Sequence, residues 1–317
     1  MPKKPKAKSV SEPYVVQYET KNAEFEYARF WDGRSYEDRA ERMLLKQLIG
    51  YYHSKSKWLV DIGGSYGRLL NLYAKRFKQV VIVDYATNEF YLSLKPAKDK
   101  KLALSHIAAN AYHLPFADDT QSAIISIRVI HHLTDPDLFF KEISRVLKPG
   151  GTAIIEAANK NSLKRLLKCI LRADFSDWRN DWVDIGASGL QNDGSFQLIR
   201  NYHPKYLMRL LSEAGLVVVK RRSVSWFRRT PVAKLPKVII DSLEKIMQIF
   251  SGWLFFGPSG WYVVRKPGVY QPDKASFGDC IVDPATKKYI GTTAQKKIQK
   301  TNKQVRYLDL RYPKPRR

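Results

Sequence analysis

The sequence predicts a doubly wound α/β domain, with a mostly parallel, seven-stranded sheet and helices on both faces. Three observations predict it. Short apolar runs alternate with helix-length amphipathic segments from residue 58 to residue 265. The first run ends in a glycine-rich turn, Gly63-Gly64-Ser65-Tyr66-Gly67. The second run ends on an acid, Asp84, 21 positions beyond Gly63.

The elements follow in order. Residues 1–22 read as a flexible basic arm, and residues 24–50 as helix broken near Gly33, from the helical spacing of Phe25, Tyr27, Phe30, Leu44 and Leu48. Trp58–Ile62 is a short apolar run of the kind a buried parallel strand uses, and Tyr66–Arg76 continues as helix. Val80–Asp84 is a second strand and Asn88–Lys95 a second helix. Leu102–Ala108 and Ala123–Arg128 are the third and fourth strands. A helix over Asp135–Leu147 stops at Lys148-Pro149-Gly150-Gly151, and Thr152–Ala158 is the fifth strand. A basic amphipathic helix opens at Leu163. His203–Ala214 is helix, Leu216–Lys220 strand, Leu235–Phe256 mostly helix and Trp261–Arg265 the last strand. The domain is placed at residues 23–267, with 160–200 and 224–258 as cap segments over the carboxyl edge. Residues 268–317 form a polar, basic C-terminal extension.

Composition narrows the function classes. The chain has 317 residues, of which 44% are hydrophobic and 12% aromatic, enough for a core and too apolar for global disorder. No apolar run reaches the roughly 18 residues of a membrane-spanning helix. The N-terminus MPKKPKAKSV leads into no apolar signal segment, so a reducing, cytoplasmic compartment is expected. Cys169 and Cys280 are too few for a disulfide framework or a four-cysteine zinc site. Net charge is +25. Residues 1–10 carry four lysines and no acid, and residues 285–317 carry eleven basic residues against Asp309 alone. Basic ends of this kind are solvated and self-repelling, or they meet RNA or an anionic membrane surface.

The chemistry concentrates in Val60–Leu69. A strand end followed by glycines lets backbone approach a ligand closely, and amides at a following helix start receive an anionic group. An acid closing the next strand accepts hydrogen bonds from a ribose diol. The pair therefore reads as a site for a nucleoside-containing ligand. A dinucleotide fingerprint would need glycine at positions 63, 65 and 68, which hold Gly63, Ser65 and Arg68. The Gly-Lys-Ser/Thr of a phosphate loop is also missing. What remains is an acid-x-Gly-x-Gly-x-Gly pattern, standing here as Asp61-Ile62-Gly63-Gly64-Ser65-Tyr66-Gly67 with serine in the middle glycine slot.

This loop, Asp84, Asn110-Ala111-Tyr112-His113-Leu114-Pro115-Phe116, Ile127-Arg128-Val129-Ile130-His131-His132-Leu133 and Leu147-Lys148-Pro149-Gly150-Gly151 stand in the order and spacing of a known family. The sequence resembles the class I S-adenosylmethionine-dependent methyltransferases of the type-11 group, strongly over 58–158 and more weakly over 200–266. The resemblance implies a Rossmann-like sheet whose last strand runs antiparallel, with S-adenosyl-L-methionine as cofactor. It implies that Gly63, Ser65 and Gly67 pass close to the methionine portion and ribose, and that Asp61 orients the loop and the amino group. Asp84 would hold the ribose hydroxyls, with Tyr85 packed on the adenine. Asn110 would contact the adenine amino group where relatives more often carry Asp, beside Ala111. Arg128 would line the methionine end.

His131-His132 has no accompanying cysteines or acids, so no metal site is expected. Either histidine is a general-base candidate for an oxygen nucleophile, with loop packing as the plain alternative. His203 is expected to cap a helix or pack in a loop, with substrate contact as the alternative. The stripe Ile239, Leu243, Ile246, Met247 and Phe250 is expected to pack as an outer helix or lid, with an interfacial membrane helix as the alternative. The expected function is methyl transfer to a small or lipophilic acceptor. The alternatives are an RNA or ribosomal-particle methyltransferase, and a non-catalytic RNA-binding protein of this fold.

Overall fold

The computed structural model describes residues 27–176, 178–184, 199–228, 230–273, 276–290, 297–301 and 303–312. The arm at 1–22 lies outside them, as do residues 185–198, Arg229 and parts of the C-terminal extension. In chain order the elements are α1 (Ser35–Leu48), β1 (Trp58–Ile62), α2 (Leu70–Tyr73), β2 (Gln79–Asp84), α3 (Leu94–Asp99), β3 (Ala103–Ala108), β4 (Gln121–Ser126), α4 (Pro136–Val146) and β5 (Leu147–Ala158). They continue with α5 (Leu163–Arg172), β6 (Trp182–Asp184), β7 (Arg200–Tyr202), α6 (Pro204–Glu213), β8 (Val217–Val224), α7 (Lys237–Phe250), β9 (Ser259–Arg265), β10 (Ile298–Lys300) and β11 (Arg306–Asp309). A short 3₁₀ turn, Tyr27–Trp31, precedes α1.

The sheet is doubly wound, as the alternation of runs requires. Its order is β10-β11-β3-β2-β1-β4-β5-β9-β8. β1 sits between β2 and β4, both parallel to it, and all five of its residues are buried. Successive side chains of a strand point to opposite faces. Trp58, Val60 and Ile62 accordingly enter the core that holds Phe139, Phe140 and Ile143 of α4 and Leu207 and Leu211 of α6. Leu59 enters the other core, with Leu44, Leu45 and Leu48 of α1 and Leu70 of α2. β9 runs antiparallel to both β5 and β8, the reversed last strand that the resemblance implied.

Several expectations are corrected. The seven predicted strands are present, but the sheet has nine. β11 extends it beyond β3 in parallel, pairing Leu308 with Ile107 and Asp309 with Ala108, and β10 pairs antiparallel to β11. Only Val305, Tyr307 and Leu310 are buried there, too sparse a pattern to stand out against a basic background. The predicted helix over 66–76 shrinks to α2, because Gly67 takes a left-handed conformation (φ +72°) and the turn runs on to Leu69. The helix over 24–50 divides at Gly33 (φ +72°) into the 3₁₀ turn and α1.

The largest correction concerns α7. The stripe expected to pack inward leaves Ile239, Ile246 and Phe250 exposed, and the helix buries Ile240, Glu244 and Gln248 instead. Polar contacts set that rotation. Glu244 accepts hydrogen bonds from the amides of Ser225 (2.8 Å) and Trp226 (3.1 Å) and from the Tyr36 hydroxyl, while Gln248 Nε2 donates to the Ala40 carbonyl (3.0 Å).

Candidate functional site

Beyond the carboxyl ends of β1, β2 and β4 lies a cleft of about 880 Å³, a volume that includes the solvent at its mouth. Gly63 and Ser65 form one wall, Asp84, Tyr85 and Ala86 the next, Ala109, Asn110 and Ala111 a third, and Arg128, Val129, His132 and Leu133 the fourth. A smaller recess of about 340 Å³ shares Tyr27, Gly63 and Arg128 with it and adds Asp61, Gly64, Tyr66 and Arg68.

The glycine loop is shaped by what lies beneath it. Gly63 has φ +73°, and a Cβ there would fall 2.1 Å from Cγ2 of Val129. At Gly64 a Cβ would meet the Asp61 carboxyl carbon at 2.9 Å, so glycine lets that carboxylate fold under the turn. Ser65 occupies the left-handed region (φ 43°), a strained choice for a residue with a side chain. Two bonds hold it there. Its amide donates to Asp84 Oδ2 (2.9 Å), and its hydroxyl donates to Glu89 Oε2 (2.7 Å). Glu89 also accepts from the Ala28 amide (3.0 Å), which ties the turn before α1 to the glycine loop.

Asp84 faces the cleft with capacity left over. A carboxylate offers about four acceptor sites. Ser65 N, Ala86 N (3.1 Å to Oδ1) and the Tyr85 amide use three of them. Burial raises its pKa to about 6, and burial raises that of Asp61 to about 7, with the Asp84 charge adding to the effect at Asp61. Asn110 Oδ1 accepts from the Tyr112 amide (2.9 Å), so the Asn110 carboxamide is fixed and its NH₂ carries no hydrogen bond among the described residues. Tyr85 is backed by the C-terminal segment, where Arg311 stands 5.7 Å from its ring.

Arg128 also sits in the left-handed region (φ 66°) and is over-determined. Its amide donates to Glu156 Oε2 (2.8 Å), and its guanidinium binds Glu41, which is fully buried. Arg68 binds the same carboxylate from the other side, stacked 3.7 Å over Trp31. Burial works against ionising Glu41, yet Arg128 and Arg68 together hold its pKa below the usual carboxylate range. The guanidinium of Arg128 is thus held by Glu41, and the residue lines both the cleft and the recess.

Of the sequence-predicted residues, Gly63, Ser65, Asp84, Tyr85, Asn110, Ala111, Arg128 and His132 line the main cleft, and Asp61 lines the recess. Gly67 lines neither. It packs behind the loop, where a Cβ would strike Leu70 and Ser93. His131 does not line the cleft either. Its ring lies 4.0 Å from that of His132, and burial, His132 and Arg128 hold it well below the ordinary histidine pKa. His203 caps α6 through Nδ1, which accepts from Lys205 N (3.1 Å). Sequence reasoning missed Tyr27 and Glu89, which line the cleft from outside the motif blocks. Nothing in their spacing marked them.

The comparisons with known proteins agree with this geometry. The family model described as a methyltransferase domain matches residues 60–155. A ubiquinone biosynthesis O-methyltransferase of Mesorhizobium japonicum is 24% identical over 168 residues, covering 53% of this chain and 63% of that protein. An uncharacterised protein of Methanocaldococcus jannaschii is 33% identical over 180 residues, covering 56% of this chain and 72% of that one. Among solved structures, the complex between the Haloferax volcanii Trm112 methyltransferase activator and a methyltransferase contains a chain similar in fold. The TM-score is 0.50 at 19% identity, with 77% of this chain and 96% of that one covered. With Gly63, Ser65, Asp84, Asn110 and Arg128 lining one cleft, the chain belongs to the class I S-adenosylmethionine-dependent methyltransferases, in their type-11 group.

Proposed function

We propose that this protein transfers a methyl group from S-adenosyl-L-methionine to a small or lipophilic acceptor. The observation that carries the reading is Asp84: a carboxylate at the end of β2 that lines an open cleft and keeps acceptor capacity beyond its three backbone amides. A ribose diol supplies two donors. The NH₂ of Asn110 suits a ring nitrogen of adenine, and Tyr85 offers a face or edge to the same ring. Asp61, in the recess beside Gly64, suits the ammonium end of the methionine portion. When bound, S-adenosyl-L-methionine supplies an electrophilic methyl on a sulfonium.

The chain's own residues would do the rest. The loop at 63–65 and Arg128 fix the donor in position, and Val129, His132 and Leu133 form the wall that an acceptor would meet. Rate would come chiefly from holding the two partners in line, a gain of several kcal/mol. For an oxygen acceptor we assign His132, which lines the cleft, the role of general base; a nitrogen, sulfur or activated carbon acceptor would not need it. The matched relative acts in ubiquinone biosynthesis by its name, which supports a small or lipophilic acceptor. This chain spans 63% of that relative, so the acceptor is inferred from the cleft. RNA as acceptor has the net charge of +25 behind it and no feature of the cleft. Isothermal titration with S-adenosyl-L-methionine tests the reading: binding weakened about a hundredfold by Asp84→Ala is expected, and binding indifferent to that change would overturn it.

A further inference from the structure

Two segments leave the carboxyl edge of the sheet with their apolar sides facing outward. Ala158, Ser259 and Val224 stand in register at that edge, the same edge that holds the cleft. From the end of β5 the chain enters α5, and from the end of β8 it proceeds to α7. Neither helix is oriented as a core helix. α5 buries none of its ten residues; Leu171 is 87% exposed, and Leu167 and Ile170 are more than half exposed. α7 exposes Val238 (78%), Ile249 and Phe250, and the turn after it exposes Trp253 (82%). The two segments are joined, since the first amide of α5 donates to the Phe256 carbonyl (2.8 Å) and Asn159 holds the carbonyls of Phe255 and Gly257. Rotation of α7 to hide its apolar side would break the bonds of Glu244 and Gln248, so the exposure is built into the packing.

Charge identifies what such a face meets. α5 carries Lys164, Arg165, Lys168 and Arg172 and no acid. On α7, Lys237 and Lys245 are exposed, while Asp241 is paired with Arg39 and Glu244 is buried. Long basic side chains around an apolar face can bury their stems and keep their heads at the level of headgroups. No helix among the described residues is long and apolar enough to cross a membrane, so the fitting mode is attachment in the interface plane.

We infer that α5, the outer face of α7 and Trp253 form a docking surface for an anionic lipid bilayer, with the cleft-bearing edge turned toward it. This inference does not depend on methyl transfer. Its test is sedimentation of the full chain with vesicles of phosphatidylcholine, with and without about one third phosphatidylglycerol. Binding to the anionic vesicles and at least tenfold weaker binding to the neutral ones are expected. The combined variant Leu167→Ser, Leu171→Ser, Val238→Ser and Trp253→Ser alters only exposed side chains. It should lose about a hundredfold in partitioning while keeping its melting temperature and its affinity for S-adenosylhomocysteine. Lys164→Gln with Lys168→Gln should remove most of the preference for anionic lipid. Full binding by the apolar variant would assign the effect to the basic ends and overturn the inference. So would failure of the wild type to bind vesicles. Self-association that the variant abolishes, or RNA binding that it abolishes, in a protein that ignores vesicles would show a different partner on this face and would likewise overturn it.

Discussion

Removing the carboxylate of Asp84 separates a ribose-binding acid from a residue that merely braces a loop. In the free protein it accepts from Ser65 N at 2.9 Å, from Ala86 N at 3.1 Å and from the Tyr85 amide, leaving one of about four acceptor sites for a ribose hydroxyl. Hydrogen bonds to a charged group are worth about 1.5–3 kcal/mol each, less when their geometry is shared. Loss of such a bond should cost up to roughly 3 kcal/mol, or about a hundredfold in Kd. Asp84→Asn keeps an acceptor for one of the three amides and should lose only about tenfold. Titration calorimetry with S-adenosylhomocysteine and its 2′-deoxy analogue completes a double-mutant cycle. The deoxy analogue should bind the wild type more weakly and Asp84→Ala no more weakly than the parent ligand does. If the two penalties simply add, the hydroxyl and the carboxylate do not touch. The ribose assignment then fails, however much affinity the variant has lost.

Further outcomes follow from the same cleft and its supports. Burial places the Asp84 pKa near 6, and a diol donates to the ionised form, so cofactor affinity should fall as pH drops below about 6 and level off above 7. Calorimetry from pH 5 to 8 checks this, and Asp84→Asn should flatten the profile. In the free protein the sign is opposite. Acids whose pKa is raised on folding bind more protons folded than unfolded, so Asp61 and Asp84 lower stability as pH rises from about 4 to 7. Urea denaturation should show Asp61→Asn losing part of that slope. Glu41→Ala would strand Arg68 and Arg128 beside each other and should destabilise by about 3–5 kcal/mol in urea titrations. Deleting residues 297–317 should bare the outer edge of β3 and cause self-association visible by sedimentation velocity.

The parts of the molecule that were legible from sequence share one physical property: their pattern is local. β1 is five consecutive buried residues and ends in glycines whose neighbours dictate them, so strand and turn announced themselves together. Asp84 was legible because the length of one helical crossover fixes where the next strand ends. Tyr27 and Glu89 were not, because their place on the cleft depends on how the chain before α1 folds back over the loop. That contact joins Ala28 to a residue 61 positions away. β11 was hidden for the same reason, since its partner β3 lies some two hundred positions earlier. α7 shows the limit of periodicity most clearly. Its apolar stripe marked it correctly as an amphipathic helix, but amphipathicity does not say which side faces the protein. Three carbonyl and amide partners on α1 and the turn after β8 outbid the stripe, because a buried Glu244 without them would cost more than several exposed isoleucines. An apolar face left outside on those terms needs a second environment to cover it, and the cations of α5 alongside make an anionic lipid surface the environment that fits.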